Sequence, residues 1–290
     1  MMYRMLTALT LAAAVFAGAS LASADELGKK ASKVMRDNEK AIVQIEATLT
    51  VSAKGPMAER LGGTQEQKVN VQATVIDASG LCVCSYVSLN PTSAMGKINL
   101  PGGQGTVSFK GELSDVQITL PDGTDIPARV VLKDEDLDLA FVAPKEKLES
   151  QDAEQISAVD LSKPAPKASR LDQVVRLSRL GKSLNRELVV ELDRISAIIT
   201  KPRRIYILGG AKPGSPVFVP GGKLLGIITF RKKPGAQSLR RAGGIGGTPV
   251  VLPTSDVKKI ADQAREELKK APATKPKPEK TEPETKKAQD

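Results

Sequence analysis

Ser215 lies three residues after Lys212, a hydroxyl and an amine of the kinds that act as nucleophile and general base in Ser–Lys hydrolases. That chemistry needs a buried Lys212, because only desolvation brings an ammonium pKa down toward neutrality. Asp138 supplies a carboxylate of the type that orients a base. Arg231, Lys232, Lys233, Arg240 and Arg241 cluster within eleven positions and suit carboxylate, sulfate or phosphate groups. The same run is equally read as a loop kept soluble by charge. The chain has no histidine, which excludes every mechanism that moves a proton through an imidazole. Cys82 and Cys84, without histidine, make a poor zinc site. They are read as two small buried apolar side chains or as a strained disulfide. Gly209 to Ser215 lacks the lysine that must follow the second glycine of a phosphate loop. No metal or cofactor is expected.

The elements holding these groups follow from pattern. Leu27 to Lys40 has helical spacing. Ile42 to Val51, Val69 to Val75, Leu81 to Leu89, Leu113 to Leu120, Ile126 to Leu132 and Leu137 to Val142 read as strands separated by turns. Pro91 to Gly111 is Gly-rich and reads as a mobile loop. Residues 151–169 form a connector. Strands resume at Val174–Leu177, Leu188–Ile199, Arg204–Leu208, Val217–Val219, Leu224–Phe230 and Val250–Leu252. Asp256 to Lys270 is an amphipathic helix with Thr254 or Ser255 as cap. Many short strands with little helix between them indicate an all-β barrel or sandwich and leave no room for a parallel α/β sheet. Aromatics are 3% of the chain and Trp is absent, so the cores are aliphatic.

Charge divides the molecule. Residues 25–162 carry 14 Lys/Arg and 21 Asp/Glu, whereas residues 163–255 carry 18 and 4. Two lobes of opposite sign are expected, attracting each other or facing an anionic partner with the basic one. At the start, Arg4, the apolar run Leu6 to Ala17 and the small-residue site Ala22-Ser23-Ala24 form a secretory signal, cleaved after Ala24. A periplasmic or secreted location follows, with no transmembrane segment in the mature chain. Residues 271–290, made mainly of Lys, Pro, Glu, Thr and Ala, are expected to be disordered.

Three segments in order resemble trypsin-like serine proteases of the HtrA (DegP-like) type. TVIDASGLCVCSYVSL (Thr74 to Leu89) resembles the strand-turn-strand that ends in that family's catalytic histidine. DEDLDLAFV (Asp134 to Val142) resembles the segment supplying its aspartate. KPGSPVFVPGGKLLGIIT (Lys212 to Thr229) resembles the segment supplying its serine. LGKSLNRELVVELDRISAI (Leu180 to Ile198) and GTPVVLPTSDVKKI (Gly247 to Ile260) resemble further parts of the second barrel. The likeness runs from about Glu39 to Ala264, and the family's usual PDZ domain is not expected in the charged stretch after it.

The resemblance implies two six-stranded antiparallel β-barrels, 25–160 with the first helix and 161–255, closed by a helix at 256–270. It places the active site between them. The histidine position falls on Tyr86 or Val87, the aspartate on Asp138 and the serine on Pro213. Valine moves no proton, and a phenol with a pKa of about 10 is a poor base. Proline has neither nucleophile nor N–H, so half of the family's oxyanion hole goes with the serine. Ser215 falls on a family glycine and precedes Pro216. Asp138 has no imidazole to orient and is read as a structural acceptor, including for a Ser or Tyr hydroxyl. The expectation is a catalytically inactive protease homologue that binds peptide, protein or an anionic envelope polymer. The alternative is an active serine endopeptidase with unconventional residues. Export and sparse aromatics argue against nucleic acid.

Overall fold

The computed structural model describes residues 26–55, 58, 63–95, 97–99, 105–210, 212–231 and 247–270. The expected signal segment 1–24, most of the basic loop and the tail 271–290 lie outside them. A helix, α1, covers residues 26–38.

The first sheet contains β1 (Ile42–Lys54), β2 (Thr64–Val75), β3 (Cys82–Ser85), β4 (Lys97–Asn99), β5 (Thr106–Thr119), β6 (Asp125–Asp134) and β7 (Leu139–Pro144). Its order is β1-β2-β3-β7-β6-β5-β4, and β1 also pairs with β5. That extra pairing closes six strands into an antiparallel barrel, with β4 outside the ring. Closure removes the unpaired edges that an open sheet would expose.

The second sheet contains β8 (Gln173–Arg179), β9 (Leu188–Arg194), β10 (Ala197–Ile199), β11 (Ile205–Ile207), β12 (Pro216–Phe218), β13 (Leu224–Arg231) and β14 (Thr248–Pro253). Its order is β10-β11-β14-β13-β12-β8-β9, a half-barrel among the described residues. The edge strands β9 and β10 are halves of the single run expected at Leu188–Ile199, bent at Ile195 and Ser196. There Ile195 exchanges backbone bonds with Leu171 and Asp172, while Ser196 donates to Ile207.

Period-two alternation distributes the aliphatic side chains. On β3, Cys82 and Cys84 enter the first barrel with Val43, Ile45 and Val142, while Val83 points out. On β7, Leu139, Phe141 and Ala143 face outward and Ala140 and Val142 inward, so this strand is apolar on both faces. The outward set joins Val34 of α1, Phe218 of β12 and Val257 of α5 (Thr254–Lys270) in a shared core between the sheets. Val174, Val217, Ile228 and Val251 fill the second interior. The cysteines are free and buried, with no disulfide.

Three local expectations fail for identifiable reasons. The strand read from Leu81 to Leu89 stops at Ser85, and Tyr86–Leu89 form a short helix, α2. The Ser85 hydroxyl accepts from Ser88 N at 3.1 Å and caps that turn. The described part of Pro91–Gly111 holds a second short helix, α3 (Thr92–Met95), with β4 and the start of β5, rather than a continuous loop. The connector opens with a short helix, α4 (Ser150–Glu154), and Thr254 does not cap the last helix, α5, but begins it. Its hydroxyl donates to Leu224 O at 2.7 Å, tying α5 to β13.

Candidate functional site

The two barrels meet at a cleft with a cavity of ≈ 280 Å³. Val71 and Gln72 come from β2, Val87 from α2, Phe230 from β13, and Lys212 and Pro213 from the loop before β12. Thus two sequence-predicted positions, Val87 and Pro213, are brought to one place. Tyr86 is not with them. It packs in the first barrel, where its hydroxyl accepts from Lys133 Nζ at 3.2 Å. The ammonium lies 5.0 Å from the ring centroid. The Tyr86 hydroxyl and then Glu135 hold the Lys133 pKa above its ordinary value.

Asp138 is fully buried beside the cleft. Its Oδ2 accepts from the Ser85 hydroxyl at 2.7 Å and Phe230 N at 2.6 Å, and its Oδ1 accepts from Val87 N at 2.7 Å. Its backbone adopts φ 59°, a left-handed conformation that aspartate tolerates better than most residues. Tyr86 N donates to its carbonyl at 3.3 Å and helps hold that bend. Both oxygens of this buried carboxylate therefore have donors.

The loop carrying Pro213 is pressed against the first barrel. Gly214 has φ +88°, and a Cβ there would fall 1.8 Å from Gln72 O. Thr74 Oγ1 donates to Gly214 O at 2.8 Å. Gly214 N is used by Ile228 O and Ser215 N by Lys212 O. Neither amide is therefore free to bind an oxyanion, and Pro213 has no N–H. Ser215 is fully buried, and its hydroxyl has no hydrogen-bond partner among the described residues. Lys212 Nζ donates to Arg179 O rather than to Ser215. Partial burial pushes its pKa below the ordinary lysine value.

Arg179 and Gln72 were not anticipated from sequence. Arg179, 8% exposed, donates through its guanidinium to the carbonyls of Ile42, Glu39 and Arg186, and its amide donates to Gln72 Oε1. Gln72 Nε2 donates in turn to Val43 O. A charged residue within a strand carries no local signal of this role, because its acceptors come from distant segments.

Of the five cations in the predicted basic site, Arg231 ends β13, beside Arg203 and Asp136 at a ≈ 170 Å³ cavity. Lys232, Lys233, Arg240 and Arg241 lie outside the described residues. A cavity of ≈ 510 Å³ lies elsewhere, between α1 and the β12–β13 turn, lined by both lysines and aspartates. Among the described residues, no group of three or more His, Cys, Asp or Glu is placed to hold a metal. No described helix is long and apolar enough to cross a membrane.

No protein-family model matches this chain, and no curated protein matches it. Among solved structures it is similar to the HtrA-type protease AlgW with decapeptide, at 16% identity and a TM-score of 0.52. The alignment covers 81% of this chain and 67% of that one. A second AlgW structure with decapeptide aligns at 15% identity, the same coverage and a TM-score of 0.54. These likenesses establish a trypsin-like fold of HtrA type, and the fold alone.

Proposed function

We propose that this HtrA-type double barrel is an exported binding protein without peptidase activity, and that its inter-barrel cleft receives a peptide or protein segment. The observation that carries this reading is the pairing of Val87 and Pro213 on one cavity. We assign them the family's histidine and serine positions, with Val87 rather than Tyr86 because only Val87 lines the cleft. Neither side chain accepts a proton or attacks a carbonyl. Asp138 then acts as a structural acceptor, with its carboxylate engaged by Ser85, Val87 and Phe230. The decapeptide of the AlgW structure supports peptide as the ligand class.

The rival reading makes Ser215 a nucleophile activated by Lys212. It is disfavoured by a serine hydroxyl sealed from solvent and a lysine nitrogen turned to Arg179 O. The deciding experiment incubates the full chain with casein, chromogenic peptides and a fluorophosphonate probe. No turnover and no labelling are expected, with Ser215→Ala behaving identically. Covalent labelling of Ser215 would overturn the reading. Export is tested by N-terminal sequencing of protein from the extracytoplasmic fraction, where a start at Asp25 is expected.

A further inference from the structure

The described lining of the cleft cavity holds one charged side chain, Lys212. Pro213 and Phe230 stand beside it with part of their apolar surface exposed, and Val71 and Val87, both buried, complete the lining. An ammonium has three hydrogens to donate. Among the described residues, the Lys212 ammonium has one acceptor, Arg179 O, and no carboxylate partner. The nearby carboxylate of Asp138 already receives Ser85, Val87 and Phe230. Lys212 is exposed over much of its surface, yet the atoms packed around it still lower its pKa by desolvation. A cation without a counter-ion, set beside apolar surface, gains more from an incoming carboxylate than a lysine already paired in open water does. The cavity is close in size to the smaller ligand pockets, at about 300 Å³.

We propose that Lys212 makes the cleft selective for acidic peptides: a Glu or Asp carboxylate docks on its Nζ, and neighbouring apolar side chains rest against Pro213 and Phe230. The selectivity rests on the cleft being a binding site, as set out above. A neutral amide of the same shape gains no charge–charge attraction there. A lysine in the ligand meets like charge, which weakens binding.

The test uses the full chain on three immobilised pools of blocked heptapeptides, mixed at six positions and carrying Glu, Gln or Lys at the centre. The native protein should be retained on the Glu pool about fivefold or more over the Gln pool. Lys212→Met should equalise those two pools. Lys212→Glu should move the preference to the Lys pool, a reversal that misfolding cannot produce. Equal retention of the native protein on the Glu and Gln pools would overturn the acidic selectivity while leaving peptide binding intact. Retention on none of the pools would overturn the peptide reading itself, and this proposal with it.

Discussion

The amide of Phe230, in the second barrel, donates at 2.6 Å to the carboxylate of Asp138, in the first. The same carboxylate takes the Ser85 hydroxyl and the Val87 amide. Three donors from three strand or helix ends converge on one buried side chain, and it pins the cleft from beneath.

Asp138→Asn tests that pin with almost no change in volume. An amide brings its own NH₂ against donors, leaving at least one unpaired. A hydrogen bond to a charged group contributes about 1.5–3 kcal/mol, so a loss of roughly 2–4 kcal/mol is expected in urea unfolding. An unchanged midpoint would show that the carboxylate is dispensable.

Gly214→Ala should be at least as damaging. The new methyl would meet the Gln72 carbonyl, and the backbone φ of +88° already disfavours an L side chain. The loop must lift from β2, breaking the Thr74–Gly214 bond. Thermal unfolding should fall by several degrees, and Gly214→Ser should follow it.

Much of the fold was legible because its signals are local. Asp77-Ala78-Ser79-Gly80 and Pro121-Asp122-Gly123 announce their turns, and the alternation of Val69 to Val75 announces a strand. The helix at Tyr86–Leu89 was hidden because Tyr, Val and Leu also suit strands. The usable signal was Ser85, a good N-cap at the point where the strand ends. At the site, the family resemblance pointed to Tyr86 or Val87, Asp138 and Pro213, and the structure brings Val87 and Pro213 to one cavity. The choice between Tyr86 and Val87 needed three dimensions, because one residue at a strand-to-helix junction decides which side chain faces the cleft. Phe230 as a partner of Asp138, and Arg179 as a tie across the barrels, had no sequence signature. Their partners lie 92 and 137 residues away.

The two thiols give a prediction with a pH sign. Burial pushes Cys82 and Cys84 well above the ordinary thiol pKa. Iodoacetamide at pH 8 should leave the native protein unmodified and add two groups per chain in urea. A raised native pKa means stability is unaffected below the unfolded thiol pKa of about 8.5 and is lost as pH rises past it. Denaturation midpoints should fall on the alkaline side, and less so in a Cys82→Ala/Cys84→Ala variant. Rapid native labelling would show that the thiols are accessible.

Acid should loosen the last helix. For Asp77, burial raises the pKa, but hydrogen bonds from Ser79 and the guanidinium of Arg265 outweigh it and leave the value lowered. A lowered native pKa contributes stability above the ordinary carboxylate range, lost as pH falls through the native value. Asp77→Asn should therefore be less stable than the native protein at pH 7. That difference should shrink only as pH falls below the ordinary carboxylate range and through the lowered native value, where the carboxyl takes up its proton. Hydrogen exchange in α5 would report it directly, and a pH-independent gap would refute it.

Arg265 of α5 reaches back to the Ile76 carbonyl and the Asp77 carboxylate, 189 and 188 residues earlier in the chain. A nascent polypeptide therefore has every strand of the closed barrel long before it has the clasp that completes its Ile76–Asp77 turn. Until translation passes residue 265, the outward faces of Val83, Phe141 and Ala143 lack the cover that α5 supplies. The two sheets are already tied by the Thr74–Gly214 and Phe230–Asp138 bonds, so the final helix is the last seal on a joint made before it.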